Sequence, residues 1–175
     1  MNIYEFNALN KNYASYAASE EAFMSRVFST NGQSKFADWS DNIEIQFNDD
    51  SFNKGKGIPD IGYLTVGSII LSAKALKCLG SYLSDFGEFL PLNFNGEKCY
   101  LYNVTNLVDC AFNDGDDPLA ALAAPKFITE KLPKKDSVFK IPPRKSVQLY
   151  VSGNSLQKLI SDNNLTGGVF KQLNE

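Results

Sequence analysis

The chain reads as an α+β domain, a mainly antiparallel sheet carrying a few helices. Three observations predict it. Short strand-like runs recur along the sequence: Ile43–Phe47 alternates apolar and polar residues, as a half-buried strand requires, and Lys98–Val104 is an aromatic strand-like run. A few segments instead space their apolar residues for one helical face. Clusters of Asn, Asp, Gly and Pro separate these runs at short intervals.

Taken in order, Ile3-Tyr-Glu-Phe6 predicts a short strand. Ser19 ahead of Glu20-Glu21 predicts a capped N-terminal helix over about 20–28, with its acids where the helix dipole favours them. Phe23 and Val27, with Met24, give that helix an apolar edge, and Asn31-Gly32 ends it. Ile43–Phe47 is a strand, and 48–57, with clustered Asn, Asp, Lys and Gly, is a long surface loop.

The stretch Gly67–Leu92 organises the rest. Ser72 is placed to cap a central helix over about 72–86, because its hydroxyl can accept an unpaired N–H one turn in. Leu76, Leu79, Leu83 and Phe86 form an apolar stripe that Ala75, Cys78 and Tyr82 widen. Gly87 is the expected stop, in a left-handed conformation. Strand Glu88–Leu92, a turn at 93–96 and strand Lys98–Val104 follow at once, supplying the sheet that such a helix needs. Beyond them, Asn113–Pro118 is a turn and Leu119–Ala124 one or two helical turns. Lys126–Leu132, Ser137–Ile141 and Val147–Val151 read as strands. A short C-terminal helix follows over about 155–163, then a closing strand at Val169–Leu173.

Composition bounds the function. Hydrophobic residues at 43% and charged residues at 21% are globular values, and 175 residues suffice for one ordinary domain. A net charge of −3 offers no basic field for a phosphate backbone, so no nucleic-acid partner is expected. The charge is uneven: residues 1–97 hold seven basic and twelve acidic groups (−5), and 98–175 ten basic and eight acidic (+2). This is either ordinary surface charge or an acidic face for a basic partner. Cys78, Cys99 and Cys110 show no C-x-x-C spacing and read as small hydrophobes. Neither a signal peptide nor a membrane span is visible, so a cytoplasmic setting and no membrane partner are the expectation.

Candidate chemistry is sparse. Histidine is absent, which removes the commonest general base and the usual zinc ligand. The best acidic cluster is Asp109, Asp114, Asp116 and Asp117. A solvated turn is preferred there to a cation loop, because EF-hand spacing and a terminal glutamate are missing. An acidic patch for a basic partner is the third reading. Glu88, entering an apolar strand with no base beside it, is expected to bond backbone N–H groups of a neighbouring loop rather than a substrate. Tyr100 and Tyr102 share a strand face and would anchor a partner if that face were open, though core packing is the plainer reading. The basic run Lys131, Lys134, Lys135, Lys140, Arg144 and Lys145 reads as a solvated loop and strand edge.

A resemblance emerges from the order of several short motifs. Leu71-Ser72 and the helix, Gly87-Glu-Phe-Leu-Pro-Leu92, an aromatic strand and Asn103-Val-Thr-Asn-Leu-Val-Asp109 come first. Val138-Phe-Lys-Ile141, Leu149-Tyr-Val-Ser152 and Asn164-Leu-Thr-Gly-Gly-Val-Phe170 follow. In this order they resemble immunity-protein family eleven of bacterial polymorphic toxin systems, long filed as a domain of unknown function, over roughly residues 58–173. The chain departs from the pattern after Asp109, where Cys-Ala-Phe-Asn113 replaces a Leu-Asp pair.

The resemblance divides a single domain, 1–175, into a variable N-terminal part, 1–57, and a family-like core, 58–175. It implies an immunity protein that occludes a cognate toxin domain, with no catalytic residue, cofactor or metal. Its toxin-binding candidates are Glu88, Tyr100, Tyr102, Asp109, Asp114, Asp116 and Asp117. A second copy of the chain is a further candidate partner. Two alternatives remain: an enzyme that reverses toxin damage through a carboxylate–metal site, and a small-molecule or peptide-binding accessory module.

Overall fold

In the computed structural model, residues 1–18, 28–40, 43–47, 53–111 and 125–173 are described. Among them the chain forms ten strands and two α-helices, so the α+β expectation holds. The strands are β1 (Ile3–Asn7), β2 (Tyr16–Ala18), β3 (Glu44–Phe47), β4 (Ile61–Tyr63), β5 (Ile69–Ser72), β6 (Gly87–Phe94), β7 (Glu97–Val104), β8 (Ser137–Phe139), β9 (Leu149–Ser152) and β10 (Val169–Gln172). The helices are α1 (Ala73–Leu83) and α2 (Ser155–Asp162). One sheet has the order β10-β1-β9-β8, the other β2-β3-β6-β7-β5-β4. Every ladder is antiparallel except β3 with β6.

The β6–β7 hairpin is written in local chemistry. Phe94 pairs with Glu97, leaving Asn95-Gly96 as a two-residue loop, and both have positive φ (51° and 80°). That is the turn whose twist matches its flanking strands, and Asn-Gly is the pair that adopts it most readily. The predicted cap of α1 is also present: Ser72 Oγ accepts the Ala75 N–H at 3.1 Å. The buried stripe of α1 is Ala75, Leu79 and Leu83, flanked by half-buried Cys78, Tyr82 and Phe86, with Leu76 off to one side.

Carboxylates from distant loops support both helix starts. Asp60 accepts Ser72 Oγ at 3.3 Å and the Lys74 ammonium at 3.2 Å. Asp136 accepts the N–H groups of Asn154 (3.1 Å) and Ser155 (2.8 Å), standing in for a missing side-chain cap on α2.

Backbone bonds join the two sheets on both flanks. On one, the Val108 N–H donates to Lys140 O and the Lys140 N–H to Asn106 O, both at 2.9 Å. On the other, the Ile61 N–H donates to Thr166 O at 2.8 Å. Strand alternation then sorts the buried residues into three clusters. Tyr4, Phe6, Leu71, Tyr102, Val104 and Val151 face inward with both helices. Ile70, Leu90, Leu92 and Leu101 back onto Tyr16, Phe28 and Ile45. Ile3, Phe139 and Tyr150 pack under Cys110 and Ala111. Strands buried on both faces read as near-continuous apolar runs, which is what Ile69-Ile-Leu71 and Leu149-Tyr-Val151 are.

Three expectations are corrected. Gly87 does not end α1 in a left-handed conformation. Ser84 caps the helix, and Gly87 opens β6, where a Cβ would lie 2.4 Å from Asn103 O; it is needed for close approach to β7. Lys126–Leu132 is not a strand: it holds one bridge, Phe127 to Ala111, and a 3₁₀ turn over Thr129–Lys131. Lys140, read as part of a solvated run, is fully buried. The N-terminal helix expected over about 20–28 lies almost wholly outside the described residues, as do the turn and helical segment expected over 113–124. No described helix is long and apolar enough to cross a membrane.

Candidate functional site

One concave feature of the surface among the described residues lies at one end of the strands. β1 finishes there, β5, β9 and β10 begin there, and the helices leave from the other end of β5 and β9. The cleft measures about 280 Å³ and has three walls: Glu5–Asn7 with Leu9, the β4–β5 turn over 63–69, and Val147–Leu149. Leu9, Val66 and Val147 are 54%, 56% and 46% exposed on its rim. Large aliphatic side chains left open together, rather than singly, mark a contact surface.

The β4–β5 turn gets its shape from Gly67. Its φ is +73°, and a Cβ there would stand 2.6 Å from Ser146 O, so the turn lies directly on the backbone leading into β9. That contact sets Val66 beside Val147. Behind the turn, Thr30 Oγ1 donates to Gly67 O at 2.8 Å, and the buried Lys140 ammonium donates to Thr30 O at 2.5 Å. Among the described residues no carboxylate pairs with Lys140. Burial pushes its pKa down to about 8.

Glu88 holds the next stretch of the same segment. Its carboxylate accepts the Lys35 N–H (2.6 Å), the Ser34 hydroxyl (2.6 Å) and the Asn103 amide (2.7 Å), while that amide also donates to Gln33 O at 2.8 Å. Glu88 and Asn103 are cross-strand partners on β6 and β7. Glu88 therefore latches residues 33–35 to the sheet, as its place in the sequence suggested.

The other sequence candidates do not converge. Tyr102 is fully buried, its hydroxyl donating to Leu83 O at 2.9 Å. Burial drives its pKa far up, so it is a core residue and no surface anchor. Tyr100 is half-buried mid-strand. Asp109 is exposed beyond the end of β7, 4.0 Å from the Lys131 ammonium. Asp114, Asp116 and Asp117 lie outside the described residues. Among the described residues no three His, Cys, Asp or Glu side chains are grouped as metal ligands. Cys99 and Cys110 are buried, with pKa values pushed up to about 12 and about 11 by burial, so neither is a ready thiolate.

None of the sequence candidates lines the cleft. Its rim residues, in Ala-Leu9-Asn, Thr-Val66-Gly and Ser-Val147-Gln, sit in short stretches with no local period to mark them. The one sequence signal was Gly67, whose turn carries the cleft wall.

The chain matches no known family model and no curated protein. The likeness to an immunity-protein family rests on its short motifs and their order.

Proposed function

We propose that this chain is an immunity protein, a cytoplasmic binding module that neutralises a cognate bacterial toxin domain by covering it. The observation that carries the reading is the open rim of Leu9, Val66 and Val147 around a cleft whose turn is fixed from behind. The ordered motifs over 58–173 supply the kind of partner. Inhibitors of this type bury a standard-size interface of about 1,600 Å², in which a few central side chains carry most of the affinity. The rim supplies such anchors, and half-buried Tyr100 is a further contact candidate.

The test is co-expression with the toxin domain encoded beside this chain. Cells survive if the reading holds. Cell death despite abundant, folded protein removes it. The cleft volume favours one second reading, a small-molecule-binding module, because about 280 Å³ is near the low end of ligand pockets. Protection that persists with metal chelated and Asp109 changed to Asn argues against a metal enzyme.

A further inference from the structure

We propose that the cleft at the strand ends receives one large uncharged side chain of the partner protein, aliphatic or aromatic, seated on the end of the core between the two sheets. This rests on the binding reading above and adds the chemistry of the contact.

Three observations converge on it. The first is the floor. Phe6, Ile69 and Leu149 line the cleft and belong to the buried cluster that also holds Leu71, Tyr102 and Val104, and Tyr63 packs against the same cluster. With Leu9, Val66 and Val147 half exposed around them, an apolar group entering here extends the core.

The second is charge. Glu5 is the one charged residue along the cleft. Side chains alternate along β1, so Glu5 shares the face of Ile3, opposite to Phe6, with Tyr150 and Lys171 as its ladder neighbours. No charged side chain of the lining is turned toward the rim, and an ion entering there would shed its water without meeting a counter-charge.

The third is the polar lining. The Ser68 hydroxyl donates to Thr65 O at 3.0 Å, Asn7 Oδ1 accepts the Leu9 N–H at 3.0 Å, and the Gln148 amide donates to Leu149 O at 3.4 Å. A small-molecule site sets a few polar groups to orient its ligand, whereas these three serve the fold. A single large side chain held in a pocket while its surroundings exclude water is how a protein interface is anchored, and a cleft of about 280 Å³ suits one.

Two measurements test the proposal. In the first, N-acetyl-phenylalanine methylamide and N-acetyl-arginine methylamide are titrated into the protein, and the NMR shifts of Leu9, Val66 and Val147 are followed. Saturable shifts confined to the cleft are expected for the phenylalanine probe, undiminished at high salt, with the arginine probe at least about fivefold weaker. Val147→Lys puts a charge on the rim and removes the phenylalanine signal; Val147 is 46% exposed, and a melting curve matching the parent verifies the fold. Equal binding of the two probes, an unaffected Val147→Lys variant, or no saturation overturns the proposal.

In the second, the complex with the neighbouring toxin domain is studied. Isotope-filtered NOEs from the methyl groups of Leu9, Val66 and Val147 are expected to reach one aliphatic or aromatic side chain of the toxin, and Val147→Lys to lower affinity at least about tenfold. A complex that forms without such NOEs, or with NOEs to an arginine or lysine instead, overturns the proposal and leaves the immunity reading standing. Phenylalanine-probe binding with no toxin binding removes the immunity reading, and overturns the protein occupant in favour of a small apolar ligand.

Discussion

The β4–β5 turn is finished differently on its two sides. Behind it lies the segment Thr30–Lys35, whose backbone is engaged by side chains of Lys140, Asn103 and Glu88. In front lie Leu9, Val66 and Val147, each about half exposed among the described residues. The rear is saturated with hydrogen bonds and the front is left apolar and open. This contrast teaches that the wall has its shape before any occupant arrives, and a pre-shaped wall spares a partner the entropy of ordering it.

The contrast can be broken from behind with the largest effects. Asn103→Ala removes a fully buried amide and both of its hydrogen bonds, leaving Gln33 O and Glu88 short of a donor. A loss of about 3 kcal/mol in urea unfolding is expected. A loss under about 1 kcal/mol would mean that residues 33–35 are not held as described. Glu88→Ala strips the acceptor from three donors at once and is expected to cost about 2 kcal/mol. At a temperature where the variant stays folded, its affinity for a partner should stay within about twofold of the parent, because the turn itself is held through Thr30 and Lys140 rather than through Glu88. A drop in affinity would place Glu88 in the interface instead.

Lys140 gives a subtler probe. Its folded pKa, near 8, lies below that of the unfolded chain, so between the two values the unfolded state binds more protons and stability rises with pH. Lys140 by itself contributes about 1 kcal/mol from pH 8 to 9, read as the difference between the parent and Lys140→Met in how stability changes over that interval. From about pH 8 upward two buried thiols oppose this trend. Cys99 and Cys110 titrate near 12 and 11 when folded and near 9 when unfolded, so the unfolded chain sheds protons first. The smallest stability effect belongs to the front. Leu9, Val66 and Val147 changed singly to Ser should each move unfolding by no more than about 0.5 kcal/mol. Together they should lower partner affinity at least about tenfold, as read by calorimetry.

Where an element depends on near neighbours, the sequence was readable. Asn95-Gly96, the Ser72 cap and the apolar period of α1 each need only a few adjacent residues. β2 and β4 were missed because three residues give no period to count. Lys126–Leu132 begins strand-like with Phe127-Ile128-Thr129, yet polar Thr129-Glu-Lys131 closes into a 3₁₀ turn and Phe127 alone of the segment has a bridge partner among the described residues. Lys140 looked solvated among other lysines; its burial follows from Thr30, on a segment distant in the sequence. The cleft was invisible for the same reason, since residues 5–9, 63–69 and 147–149 meet only through topology.

The place of β1 has a consequence for synthesis. Tyr4 pairs with Val151 on one side and Gln172 on the other, so β1 takes its seat only once β9 and β10 have been made. It must wait for both ladder partners while β2 to β8 are synthesised, and such distant pairings close slowly. A newly made domain thus stays open to mispairing, or to rescue by chaperones, until β10 emerges.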